Sequence, residues 1–139
     1  MPPLGDKLPN SLQEEPDAPG QTLAVWAESL YLCNLLLAPG FCFAFLLWLY
    51  FKQRESAPPL ALCHLRQAIA GSLWAALLLG VVTVIVIALS GYDSEATWVV
   101  VITYFVCFHS TLVLLGVVGL AKAMAGQKYV YPLIGRPCE

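Results

Sequence analysis

Three long stretches with few or no charged residues dominate the pattern of this chain. The first extends from Leu23 to Phe51 and carries one charged residue, Glu28. The other two, residues 67–92 and 96–121, carry none. About 20 apolar residues in a helix cross a hydrocarbon layer about 30 Å thick. The pattern therefore predicts an all-α integral membrane protein with three transmembrane helices, at about 24–51, 68–90 and 97–121.

Pro39-Gly40 interrupts the first stretch near its middle. Proline removes a hydrogen bond inside a helix, and glycine adds backbone freedom. The pair predicts either one kinked span or a short interfacial helix that leads into a second helix. If it closes a hairpin, four crossings are possible. We expect three spans with the first kinked, because each half, at about 12–15 residues, is short for crossing a membrane.

The ends of the chain differ from this apolar centre. Residues 1–21 hold five of the ten prolines, and four of the nine acidic residues against one lysine. Such a segment cannot bury enough apolar surface to fold alone. We therefore expect a disordered acidic tail at 1–21 and a helical membrane domain at 22–139, ending in a short C-terminal segment.

Composition excludes two classes of function. Hydrophobic residues make up 59% of the chain and charged residues 12%, whereas soluble domains carry about 25% charged residues. A free-standing soluble enzyme is thereby excluded. The formal net charge is −2, which does not suit a nucleic-acid partner. The expected partners are the lipid bilayer and other membrane subunits or a second copy of the chain.

The basic residues predict the orientation. Six of the seven lie in residues 51–67 and in the C-terminal segment, whereas the turn at 91–95 has two acids and no base. The positive-inside rule places the first two segments in the cytoplasm and the turn outside. With three spans, the N-terminus would lie outside.

His109 is the strongest single candidate for a functional residue, since an ionisable group at membrane depth should face protein. It could hydrogen-bond to a neighbouring helix, relay protons or bind haem. A bis-histidine haem needs a second histidine at similar depth, and the other histidine, His64, lies at the membrane edge. The five cysteines are odd in number and lack a CxxC spacing, which argues against a disulfide framework or a zinc site. We expect no cofactor, no metal and no enzymatic activity.

Small and polar residues inside the apolar stretches predict helix packing. Asn34 is placed to satisfy the carbonyl that Pro39 leaves without a partner, or to contact a ligand. Gly71 with Ala75, and Gly116 with Gly119, form small-residue faces that allow helices to approach closely. These faces could join the second and third spans to each other or to a partner subunit.

Two motifs carry a family resemblance over about residues 23–136. The first is His64-Leu65-Arg66-Gln67-Ala68, and the second places Tyr129, Tyr131, Pro132 and Leu133 behind Ala123 and Gly126. On these residues the chain resembles small bacterial membrane proteins related to the twenty-kilodalton subunit of the chloroplast inner-envelope translocon. That family includes magnetosome-membrane proteins. The chain departs from it at Cys63, where relatives often have an acidic residue, and at Ile69, where many have Asn.

The resemblance implies a location in the bacterial inner membrane and a non-catalytic role as scaffold or accessory subunit. Protein translocation, or a magnetosome role that influences crystal size, are the alternatives it leaves open. Arg66 is expected to reach lipid headgroups, while His64 turns toward residues 129–132. The candidate structural or partner contacts are His64, Arg66, Gln67, His109, Asn34, Tyr129, Tyr131 and Pro132.

Overall fold

The computed structural model describes residues 17–138, so the expected tail lies largely outside the described part of the chain. This part contains five α-helices and one π-helical segment, and no strand. In chain order they are α1 (Gln21–Leu36), α2 (Phe41–Gln53), α3 (Pro59–Ala75), the π-helical segment (Ala76–Val81), α4 (Val82–Ser90) and α5 (Glu95–Met124). The all-α class predicted from the sequence is confirmed.

Two helices among the described residues are long and apolar enough to span a membrane. Helix α3, the π-helical segment and α4 are continuous over Pro59–Ser90, which is 32 residues, and α5 has 30. At 1.5 Å per residue they are about 48 and 45 Å long. Only 11% and 17% of the residues in their most apolar windows are buried. Their apolar side chains thus face outward, as in a protein surrounded by lipid.

The first apolar stretch forms two helices instead of the one kinked span that we expected. Helix α1 ends at Leu36 and α2 begins at Phe41. Gly40 has φ 91°, a left-handed conformation that suits glycine and reverses the chain. Asn34 supports this turn, because its Oδ1 accepts a hydrogen bond of 2.9 Å from the Gly40 N–H. It accepts an N–H there, whereas we expected it to satisfy a carbonyl.

The α1–α2 hairpin enters and leaves at the same end of the molecule. Near the start of α1, Gly20 lies against Pro58, which precedes α3, and further along α1 Glu28 contacts His64 of α3. The two helices therefore run parallel. The turn at Pro39-Gly40 shares a cavity with Ala76 and His109, near the middle of the two long helices. We call it the re-entrant hairpin because it turns back at that level, and residues 17–20 lie at the same end as the C-terminal segment.

Helix length explains this departure from three spans. The arms of the hairpin have 16 and 13 residues, so they are about 24 and 20 Å long. Neither arm covers a hydrocarbon layer of about 30 Å. The reversal at Gly40 therefore brings the chain back after a length shorter than such a layer.

Helix α1 lies between α3 and α5, where it contacts small residues on both. A Cβ atom on Gly71 of α3 would lie 2.9 Å from a ring atom of Tyr31, and one on Gly116 of α5 would lie 2.7 Å from another. The Tyr31 hydroxyl also donates a 3.1 Å hydrogen bond to the carbonyl of Leu112. The small-residue faces thus pack against α1, whereas we expected them to join the two long helices or bind a partner.

Candidate functional site

Three buried side chains from distant parts of the sequence meet near one end of the molecule. Glu28 of α1 and His64 of α3 are fully buried, and Tyr131 of the C-terminal segment is 1% exposed. Glu28 Oε1 lies 2.7 Å from His64 Nδ1, and the Tyr131 hydroxyl donates to Glu28 Oε2. We call these three residues the Glu28–His64–Tyr131 cluster. It joins two helices to the end of the chain.

The hydrogen-bond partners define the protonation of this cluster. His64 Nε2 lies 2.9 Å from the carbonyl of Gln127, which can only accept, so Nε2 carries a proton. The contact between Nδ1 and Glu28 Oε1 then holds one further proton between the two groups. A buried carboxylate needs such partners, because an unpaired charge in an apolar environment is costly.

Burial also determines the protonation of Tyr131, the third residue of the cluster. It raises the pKa of Tyr131, and the neighbouring Glu28 carboxylate raises it further by repelling the phenolate. The phenol therefore stays protonated and remains a donor to Glu28 over the physiological pH range.

A glycine of α5 makes room for the Glu28 carboxylate. A Cβ atom on Gly119 would lie 2.6 Å from Glu28 Oε2. This is well inside van der Waals contact, so α5 can approach the cluster only because position 119 has no side chain. The close approach of α5 excludes water from the carboxylate on that side.

Gln67, one turn after His64, holds the C-terminal segment in place. Its Nε2 donates to the carbonyl of Arg136. Its Oε1 accepts from the N–H groups of Arg136 at 3.2 Å and Tyr131 at 3.4 Å. Gln67 is itself fully buried. One side chain thus replaces the regular backbone partners that this irregular segment lacks.

A disulfide between Cys63 and Cys138 adds a covalent link to the same segment, with a Cα–Cα distance of 5.2 Å. The odd cysteine count had led us to expect none. Count and spacing could not reveal this pair, since its members are 75 residues apart and meet only through folding. The cysteines of the apolar stretches, Cys33, Cys42 and Cys107, are free.

The other candidate residues lie apart from the cluster. Tyr129 packs at the edge of the cluster, with its ring tilted 59° to that of Tyr131 and the ring centroids 5.7 Å apart, whereas Pro132 and Arg66 are exposed. His109 is stacked on Phe105 at 5.3 Å. Its Nδ1 is buried and has no hydrogen-bond partner within residues 17–138, where we expected a bond to a neighbouring helix.

The cluster includes a residue that we did not list as a candidate, Glu28. Its signal was nonetheless present in the sequence, because a lone carboxylate in an apolar helix must find a partner. Over residues 17–138 no group of three or more His, Cys, Asp and Glu side chains is arranged to hold a metal ion. The geometry instead suits a structural role, because the Glu28 carboxylate connects α1 to α3 and to the C-terminal segment. We call this arrangement the lock.

Comparison with known proteins gives one match. No curated protein and no solved structure shows significant similarity to the chain, and the relation to the chloroplast translocon subunit is not shown. The model of the magnetosome magnetite crystal formation protein family matches residues 20–137. These residues include all the described helices and the entire Glu28–His64–Tyr131 cluster, and the chain belongs to the magnetosome magnetite crystal formation protein family.

Proposed function

We propose that the protein is a non-catalytic scaffold of the magnetosome membrane that influences the growth of magnetite crystals. The observation that carries this proposal is the family match over residues 20–137. It extends over both long helices and the re-entrant hairpin, so the fold as a whole is the unit to which the function belongs.

The geometry of the buried cluster supports a structural role. Glu28, His64 and Tyr131 are at most 1% exposed, so no substrate reaches their polar atoms. Their hydrogen bonds connect elements that are up to 103 residues apart in sequence. The cluster thereby stabilises one arrangement of the helices.

The outer surface supports association inside the membrane. Large apolar side chains are exposed along both long helices, among them Val84 at 66% and Val99 at 66%. Such faces contact lipid or the helices of other subunits. We propose that partner subunits or further copies of the chain pack there.

The test is complementation in a magnetite-forming bacterium from which the resident members of the family have been deleted. The gene for this chain is introduced, and crystal diameters are measured by electron microscopy. We expect the wild-type chain to restore crystal size and to fractionate with magnetosome membranes. The Glu28→Ala variant should restore it less, because the lock between the helices is lost.

The matched control is Glu55→Gln, which changes an acidic residue whose side chain is 86% exposed. It should restore crystal size as well as wild type does. A wild-type chain that inserts into magnetosome membranes but leaves crystal size unchanged would overturn the proposed role. A chain found only outside those membranes would overturn the proposed location.

A further inference from the structure

Two arginines line one groove near the end of the molecule where residues 17–20 and the C-terminal segment lie. The groove has a volume of about 240 Å³ and is lined by Arg66 of α3 and Arg136 of the C-terminal segment, together with apolar and aromatic side chains. It lies outside the buried cluster, and the proposed scaffold role does not use it.

Neither arginine is neutralised by a partner among the described residues. The salt bridges of residues 17–138 join Arg54 to Glu55 and His64 to Glu28. Both groove arginines are exposed. Two guanidinium groups facing one groove repel each other, so an anion placed between them is favoured. Guanidinium also matches the geometry of phosphate oxygens through paired N–H donors.

The backbone that carries Arg136 is held beside Arg66 before any ligand binds. Gln67, the neighbour of Arg66, binds both the N–H and the carbonyl of Arg136. Two residues further on, Cys138 is linked to Cys63. These ties lower the cost of ordering the two basic residues around a ligand.

Apart from Tyr50, the remaining walls of the groove are apolar, and they extend along α3 toward the middle of the long helix. Ile69, Leu73 and Trp74 follow Arg66 along α3, and Trp74 is about 12 Å beyond it at 1.5 Å per residue. Leu73 is 54% exposed and Trp74 is 40% exposed. Positive charge at one end and an open apolar wall at the other fit an amphiphile that stands along α3.

We propose that this groove binds an anionic phospholipid, with its phosphate between Arg66 and Arg136 and an acyl chain along Leu73 and Trp74. The same phosphate chemistry could be supplied by free phosphate ions. The apolar wall favours the lipid, because an acyl chain covers these side chains and an inorganic anion does not. A zwitterionic lipid binds less well, since its own cation lies near the two arginines.

The experiment is a lipid titration of the purified full-length chain in nonionic detergent, read by native mass spectrometry. Phosphatidylglycerol and phosphatidylcholine with the same acyl chains are the probes. We expect phosphatidylglycerol to bind about tenfold or more tightly than phosphatidylcholine, as two basic groups near a headgroup would produce. Arg66→Gln and Arg136→Gln should each remove most of this preference.

Arg54→Gln is the matched control, because it removes the same charge from an exposed arginine outside the groove. It should keep the wild-type preference. In residues 17–138 the side chains of Arg66 and Arg136 make no salt bridge or hydrogen bond, so both variants should fold. Circular dichroism checks this, and Arg66→Lys with Arg136→Lys, which keeps the charge, should retain part of the preference.

Three results would overturn the proposal. The first is equal preference in wild type and both groove variants. The second is an equal loss in Arg54→Gln, which would show a general charge effect. The third comes from excess inorganic phosphate at constant ionic strength. If it displaces the lipid completely, the groove is a phosphate site and not a lipid site.

Discussion

A single carboxylate, Glu28, connects three parts of the chain. Its two oxygens face His64 Nδ1 and the Tyr131 hydroxyl, and α5 leaves room for it at Gly119. A buried charged pair adds little net stability over apolar packing, but removal of one partner is costly because the other remains buried and unpaired. The cluster therefore specifies which helices meet. Removal of one of its side chains should lower the stability of the protein strongly.

We expect Glu28→Ala to destabilise the protein by about 3 kcal/mol, the cost of leaving a buried ionic partner alone. Tyr131→Phe, which removes one buried hydroxyl, should cost about 1–2 kcal/mol. Thermal unfolding of the purified chain in detergent, followed by circular dichroism, measures both. Glu55→Gln, at the exposed Arg54–Glu55 pair, should change stability by less than about 1 kcal/mol. Equal stability of Glu28→Ala and wild type would contradict the lock.

The sequence indicated which residues belong to the buried site better than it indicated which residues they contact. His64, Gln67 and Tyr131 were candidates because they stand in the two motifs that carry the family resemblance. Their partners lie 36 to 103 residues away. We expected His64 to turn toward residues 129–132, but its ring nitrogens meet Glu28 and the Gln127 carbonyl, and it joins Tyr131 only through Glu28. The Cys63–Cys138 link was missed because its members, 75 residues apart, meet only through folding.

Among the elements, the re-entrant hairpin shows how short helices find a place beside long ones. Helix α1 is buried against α3 and α5 through Ala24, Ala27 and Tyr31, all fully buried. Close approach of helices in lipid depends on small residues, since apolar burial alone gives no preference for protein over lipid. Gly71, Gly116 and Gly119 supply that surface.

Substitution of Gly119 by alanine should therefore lower stability by about 1–3 kcal/mol, because the added methyl group overlaps the Glu28 carboxylate. Gly80 is the matched control, as nothing lies within 4 Å of a Cβ atom built there. Gly80→Ala should be neutral or stabilising by up to about 1 kcal/mol, the usual gain for this change in a helix. The same thermal unfolding assay compares the two. A Gly119→Ala variant as stable as Gly80→Ala would show that α5 does not cradle the carboxylate.

Charge-free runs located the long helices well. The predicted third span, at about 97–121, lies within α5, which covers Glu95–Met124. The helix that contains the second predicted span begins at Pro59, because residues 59–67 continue directly into the apolar ones. The π-helical segment at Ala76–Val81 was not predicted, and periodicity gave no sign of it. There the Tyr104 hydroxyl donates to the carbonyl of Leu78 at 2.9 Å, a local contact between helices.

Over the described residues of the whole molecule, the basic side chains gather toward one end. The hairpin brings residues 51–67 together with the C-terminal segment, so six of the seven basic residues lie toward one end. Asp93 and Glu95 lie at the opposite turn. The asymmetry in basic residues that the sequence shows is thus also present in the folded molecule. Hydropathy reports where apolar residues are, and it cannot tell a half-depth hairpin from a complete span.

Orientation in the membrane is the property that this charge distribution should determine. Because the positive-inside rule acts during insertion, we expect the basic end to lie in the cytoplasm. Disulfides rarely persist there, because cytosolic thiols are kept reduced. We therefore expect a C-terminal reporter that is active only in the cytoplasm to give signal when fused after Glu139. We also expect Cys63 and Cys138 to be free thiols in growing cells and to form their disulfide on purification in air.

Thiol trapping measures the second part of this prediction. Intact cells are treated with a membrane-permeant alkylating reagent before lysis, and the labelled cysteines are counted by mass spectrometry. A parallel sample that is reduced and unfolded before alkylation is the control for complete labelling. Alkylation of Cys63 and Cys138 in cells, with protection of both after aerobic purification, is the expected pattern. A disulfide already present in intact cells, together with a silent cytoplasmic reporter, would reverse the orientation. The buried cluster and the two-arginine groove would then lie toward the opposite compartment, with the re-entrant hairpin entering from that side.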